Sequence, residues 1–173
     1  MKAPVLPDEE VRAVRREAMK KLGVTLRDAK IVPEEMLALA QLLSGLVRER
    51  SLSGRRVFVL SPFRSVADAA AQVIRMLKRS RMVRMALSAN TVHAFQGQEA
   101  DLVILVLGSS PGREGARQRR WAANPANLFN VAVTRARRAL IVIGDKEAWT
   151  AERAARIMAE HLAGGRQADE ATL

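Results

Sequence analysis

A chain of 173 residues with 49% hydrophobic content is the size of one domain, and folding should bury roughly 70% of its unfolded surface. It holds no cysteine, which excludes a disulfide scaffold and a thiolate metal site. It also has no run of eighteen apolar residues, which excludes a membrane-spanning helix. The formal net charge of +11 favours polyanionic partners, nucleic acid first, because a large positive excess attracts them and speeds encounter.

An amphipathic helix is predicted to open the chain, with Val11, Val14, Ala18 and Leu22 on one face and Gly23 as its stop. Asp8-Glu9-Glu10 reads as the acidic first turn of that helix. Pro33 starts a second helix running to about Val47, apolar on more than one face and so well buried. After a turn at 50–56, a strand over 57–60 is ended by Pro62, and a helix follows from Ser65 to about Arg79. A strand near 82–87, short strands near 89–92 and 102–107, and another over 139–143 extend the alternation. Such alternation predicts an α/β fold: a parallel sheet with helices on both faces.

Residues 108–124, with Gly108, Pro111, Gly112 and Gly115 among many arginines, are expected to form a long loop. The remainder is a C-terminal helix over 147–163, with Ala148, Ala151, Ala155, Ile157, Met158 and Leu162 as its apolar set, and a disordered tail over 164–173. The expected organisation is therefore one domain over 1–163, with leading helices over 1–50 and a motif-bearing core over 55–146. The opening Met1-Lys2-Ala3-Pro4 lacks the apolar core of a secretory signal, so a cytoplasmic setting is expected.

Two basic tracts stand out: Arg75, Lys78, Arg79, Arg81 and Arg84, free of acids, and Arg113, Arg117, Arg119 and Arg120 around Glu114. Each is either a phosphate-binding surface or a solvated helix face. With aromatic residues at only 3%, contact with a nucleic acid is expected to run mainly to its backbone and not along a wide stacking platform.

Three stretches carry the chemistry. Thr91-Val92-His93-Ala94-Phe95-Gln96-Gly97-Gln98-Glu99-Ala100-Asp101 is a polar turn running into the apolar strand Leu102–Leu107. Asn130-Val131-Ala132-Val133-Thr134-Arg135-Ala136-Arg137-Arg138 places Arg135 in a small, apolar, helix-like stretch, where an unpaired guanidinium is costly and wants an anion. The third is Val57-Phe58-Val59-Leu60-Ser61-Pro62-Phe63-Arg64.

In this order the three resemble motifs V, VI and IV of the superfamily 1 DNA and RNA helicases, in the branch of the nonsense-decay and senataxin-like enzymes, with motif IV first in the chain. The resemblance covers residues 55 to 146. It implies the second RecA-like domain of an ATP-driven helicase, acting on single-stranded DNA or RNA. No Gly-Lys pair occurs, so there is no P-loop to cradle phosphates. ATP with magnesium would accordingly be held mainly by a first RecA-like domain outside these residues.

Residue by residue, the resemblance implies that Arg135 is an arginine finger and that Arg64 also reaches the terminal phosphate. Phe63 stands where many members stack a tyrosine on adenine, its other role being core packing. Glu99 would contact the ribose or a phosphate-bound water, with Gly97 letting the backbone approach, and Gln96 would link nucleotide to nucleic acid. Ser61, Thr91 and His93 would contact the nucleic-acid backbone. His93 departs from the aspartate common in this branch, and Gly108-Ser109-Ser110 departs from a serine followed shortly by an arginine. The alternative class is a stand-alone basic nucleic-acid-binding or regulatory module that kept the fold without ATP chemistry.

Overall fold

The computed structural model describes residues 28–49, 52–79, 83–95, 97–110, 112–124 and 127–162, together with Glu17 and Lys20. Most of the expected first helix, Gln96, Pro111 and the tail lie outside the described residues, although Glu17 and Lys20 are helical and exposed. Four strands, β1 (Arg56–Ser61), β2 (Ala86–Thr91), β3 (Ala100–Val106) and β4 (Ala136–Ile143), form one sheet in the order β2-β1-β3-β4. All three pairings are parallel. The core strands β1 and β3 are near-continuous apolar runs because both of their faces are covered.

The helices are α1 (Pro33–Glu49), α2 (Arg64–Arg79), α3 (Gly112–Ala123), α4 (Asn127–Thr134), α5 (Lys146–Thr150) and α6 (Arg153–Leu162). The step β1-α2-β2 runs one way along the sheet, whereas β2 to β3 and β3 to β4 run the other. Right-handed crossovers therefore put α2, with α1 packed on it, on one face, and α3 and α4 on the other. The β2–β3 crossover has no α-helix. It is a 3₁₀ turn, Val92–Phe95, lying across β1, with Phe95 against Phe58 at a ring-centroid distance of 4.1 Å. No helix among the described residues is long and apolar enough to cross a membrane.

Four expectations are corrected. The two strands near 82–87 and 89–92 are one, β2. Residues 108–124 are not a loop, since α3 occupies most of them. Its run Glu114-Gly115-Ala116-Arg117-Gln118-Arg119-Arg120 is mostly good helix formers, and Gly115 packs so closely on Ser110 that a Cβ would overlap its carbonyl oxygen. Arg135 is not within a helix, because α4 stops at Thr134 and β4 begins at Ala136. The C-terminal helix is broken between α5 and α6, and Ile157 is exposed. Trp149 and Ala155 both bury, yet in a continuous helix they would point about 120° apart, and the break in the axis lets both reach the core.

The segment after β3 is a structural node. Gly108 has φ +64, and a Cβ there would meet Val66 Cγ2 at 2.7 Å and the Lys30 carbonyl oxygen at 2.8 Å. Its N–H donates to Glu35 Oε2 at 2.7 Å and its carbonyl accepts from Trp149 Nε1 at 3.1 Å. Ser109 also has a positive φ, 86°, and its N–H donates to the Lys30 carbonyl at 2.9 Å. One tight turn thus ties the start of α1 and the helix α5 to the end of the central sheet.

Glu35 is 6% exposed, and burial, the largest cause, pushes its carboxyl up to about 8 despite the Gly108 hydrogen bond, with Asp145 and Glu34 adding repulsion. Because the folded state keeps this proton to higher pH than the unfolded chain, stability should fall as pH rises from about 4.5 towards 8. In Glu35→Gln that loss should disappear. Thermal melts across this range should show a wild-type slope that the variant flattens, with a difference of several kcal/mol at most between the two ends.

Candidate functional site

At the N-terminal edge of the sheet, the turn that precedes β3 meets the residue that precedes β4. Gly97 has φ +82 with open space where a Cβ would project, and the turn closes through Gln98 N–H donating to the Phe95 carbonyl at 3.0 Å. The Arg135 carbonyl accepts from Ala100 N–H at 2.9 Å. Its guanidinium donates to the Val131 carbonyl at 3.3 Å, the Gln98 carbonyl at 3.1 Å and Thr134 Oγ1 at 3.2 Å. Both its backbone and its side chain therefore hold the motif V turn. Among the described residues, the oxygens its donors reach are all uncharged, so its positive charge is not neutralised by a direct carboxylate contact.

Next to it the register of β3 and β4 slips, with Ala100 opposite Ala136 but Leu102 opposite Ala139. The extra residue in β4 is a bulge, a device that re-aims side chains at the rim of a sheet. Here it turns two consecutive arginines onto two carboxylates: Arg137 Nε lies 2.7 Å from Glu99 Oε2, and Arg138 Nε lies 3.5 Å from Asp101 Oδ1. Asp101 also accepts from the Arg56 N–H at 3.1 Å and pairs with Arg55 at 3.4 Å.

The hydrogen bond from Arg137 holds the Glu99 carboxyl below its usual range, with the charges of Arg137 and Arg135 adding to it. The Arg56 N–H does the same first for Asp101. Arginines 55, 56, 135, 137 and 138 thus outnumber Glu99 and Asp101 along this edge. The donor set fits a polyphosphate: guanidinium forks, surplus positive charge and an open turn.

Ser61, Phe63, Arg64, Thr91 and His93 lie elsewhere. Ser61 pairs with Thr91 at the C-terminal ends of β1 and β2, whereas Glu99 and Arg135 precede β3 and β4. The length of β1 alone, about 17 Å, separates the two groups. Arg64 and Arg135 therefore do not converge on one phosphate, and Phe63 does not share a site with Glu99. These expectations are corrected by the parallel register.

Ser61 is 1% exposed, its Oγ accepting from Phe63 N–H at 3.2 Å; it shapes the turn and is shut off from the surface. Phe63 is 4% exposed, packed between Trp121 and Trp149, which is the core-packing role. Arg64 is exposed and pairs with Asp68 at 3.1 Å. The half-buried Thr91 and the exposed His93 do come together. With Phe63, Arg64 and the α3 residues Arg117, Gln118 and Trp121 they line a groove of about 640 Å³.

The two edges are joined by the crossover Thr91–Glu99, which starts in the groove and ends among the arginines. Over residues 8–147 the chain matches the family model AAA_12, described as an AAA domain. The chain belongs to the AAA_12 family. AAA_12 is the C-terminal helicase domain of superfamily 1 helicases, which are ATPases, and the four-stranded parallel sheet is consistent with its RecA-like fold. No curated protein matches the chain.

Arg55, Arg56, Arg137, Arg138, Asp101, Gln118 and Trp121 are among the members of this AAA_12 domain's two edges that carry no role in the sequence motifs. Arg137 and Glu99 are 38 positions apart, and only the β3–β4 bulge brings them together. Because Arg135 clamps the Gln98 carbonyl, Arg135→Ala should loosen the motif V turn. Hydrogen exchange at the Gln98 amide, which is bonded to the Phe95 carbonyl, should accelerate at least several-fold while the β3 amides Val103–Leu105 stay protected. Unchanged exchange at the turn would mean the clamp contributes nothing.

Proposed function

We propose that this domain is the second RecA-like half of an ATP-dependent superfamily 1 helicase of the nonsense-decay and senataxin-like branch, working in the cytoplasm. It closes on a first RecA-like half that holds most of the ATP and magnesium, and in doing so shifts its grip on single-stranded DNA or RNA. The observation that carries this reading is the path of Thr91–Glu99, one short segment with Thr91 and His93 in the groove at one end and Glu99 beside Arg135 at the other.

At the arginine edge, Arg135 serves as the finger. A guanidinium offered from an opposing domain stabilises charge developing on the transferred phosphoryl group, an effect of roughly a thousand- to a hundred-thousand-fold in rate. Its present partners are neutral carbonyl and hydroxyl oxygens, which bind a guanidinium more weakly than an anion does. Arg135 would thus be free to exchange the Gln98 carbonyl for a phosphate oxygen, which would untie the turn. Glu99, oriented by Arg137, accepts from the ribose or from a phosphate-bound water, and Gly97 gives the backbone room to approach. Gln96, in the same segment, completes the link. ATP, when bound, would supply the anhydride bond that is hydrolysed, its binding favouring closure and its hydrolysis reopening.

At the groove, the Thr91 hydroxyl and the His93 imidazole donate to phosphate oxygens without reading sequence. Arg64 joins them, since its exposed i,i+4 pair with Asp68 is of the kind that contributes little and exchanges readily. Phe63 is the groove's floor.

In the parent protein carrying both halves, Arg135→Ala should lower nucleic-acid-stimulated ATP turnover by roughly a thousand-fold or more. Arg64→Ala should instead weaken strand binding and reduce the slope of log affinity against log salt by about one unit. Undiminished turnover in folded Arg135→Ala would remove the finger assignment.

A further inference from the structure

The chain's four phenylalanines and two tryptophans fall into two groups. Phe58 and Phe95 form one under the crossover. Phe129, Trp149, Phe63 and Trp121 form the other, a ladder rising from the core to the groove. Its lower rungs are sealed, with Trp149 spending its indole N–H on the Gly108 carbonyl. The top rung differs: Trp121 is 62% exposed and lines the groove with Thr91, His93 and Arg64.

Its setting is built. Trp121 stacks on Phe63 with centroids 5.9 Å apart and planes 25° from parallel, so the indole is backed by a buried ring. The helix that carries it is anchored to the turn after β3. Gln118 accepts from the Ser110 N–H at 3.2 Å, and Arg119 donates to Ser109 Oγ at 2.8 Å and to the Ser110 carbonyl at 3.2 Å. Glu114, Arg117 and Trp121, spaced i, i+3 and i+7, share the groove side of α3. An aromatic with few rotatable bonds, held on a rigid helix, meets a planar ligand with little conformational entropy left to lose.

The charges around it point the same way. The groove's cations each have a carboxylate partner: Lys30 with Asp28 at 3.2 Å, Arg117 with Glu114 at 3.9 Å, and Arg64 with Asp68, which lies just outside the lining. The groove is therefore no deep well for phosphate alone, unlike the arginine edge. What it offers beyond modest electrostatics is a π surface beside the Thr91 hydroxyl and the His93 imidazole.

We propose that Trp121 is a stacking station for one unpaired nucleobase of the strand lying in this groove. The proposal rests on the nucleic-acid reading given above and adds a base contact to it. Because every base has a π face, the contact tolerates any sequence, with purines preferred over pyrimidines for their larger ring.

The test uses the 173-residue chain, wild type, Trp121→Ala and Trp121→Phe, with short single-stranded DNA and RNA and with abasic oligonucleotides of the same length. Affinity is followed by fluorescence anisotropy at several salt concentrations, and indole emission is followed in parallel. For wild type, base-containing strands should bind about tenfold tighter than abasic ones and quench emission. Trp121→Ala should bind both equally weakly with an unchanged salt slope, because no phosphate contact is lost, and Trp121→Phe should recover most of the difference.

Equal wild-type affinity for normal and abasic strands, or full affinity in Trp121→Ala, overturns the stacking proposal while leaving the nucleic-acid reading in place. The absence of salt-dependent binding to any strand overturns both.

Discussion

The contact between Phe95 and Phe58 is the one on which the rest of the domain depends. A parallel crossover that skips a strand normally brings an α-helix whose apolar stripe covers the sheet. The β2–β3 connection has only the 3₁₀ turn Val92–Phe95, so Phe95, with Val92, must supply that cover. With the rings in place, Thr91 is kept at one edge of the sheet and Glu99 at the other. Among the described residues, the turn that follows is closed by the Gln98 N–H donating to the Phe95 carbonyl.

The two edges that this segment connects are electrostatically unlike. At the N-terminal edge, arginines converge on Glu99 and Asp101 in excess, and a bulge in β4 is what allows neighbouring side chains to do so. At the C-terminal edge, lysine and arginine are matched by local carboxylates, and the notable surface is aromatic. A net charge of +11 is therefore not one undifferentiated basic coat. Five arginines face two carboxylates where a polyphosphate is proposed to bind, whereas cations and carboxylates are nearly balanced where a strand is proposed to lie.

Stability and site geometry share the turn at Gly108–Ser110. Buried Glu35, the Lys30 carbonyl, the Trp149 indole and Arg119 all close on it. It fixes α3, and hence Trp121, relative to Phe63. The left-handed backbone at Gly108 and Ser109 is over-determined by these contacts, which is the condition under which such strain persists. The arrangement also makes a protonated Glu35 part of the frame and not part of the chemistry.

Much was legible in the residues themselves. The apolar runs at 57–60 and 102–107 and the spacing of Val66, Ala70, Val73 and Ile74 follow local periodicity, and the turn at Gly97 follows from a residue free to take positive φ; these determined the α/β class and the places where polar chemistry interrupts it. Local pattern misjudged α3, because Gly112 and Gly115 signal a break unless the helix has a partner, and Ser110 is that partner. It also misjudged which residues share a site. Ser61, Phe63 and Arg64 stand as close in sequence to a strand end as Glu99 and Arg135 do, but whether an end is the first or the last residue of a parallel strand decides the edge it occupies. That depends on pairing between segments far apart in the chain. So do the Glu99–Arg137 bridge and the meeting of Trp121 with Phe63. The amino-acid order alone determined the elements and their motifs, and only the tertiary register decided that they form two surfaces joined by one crossover.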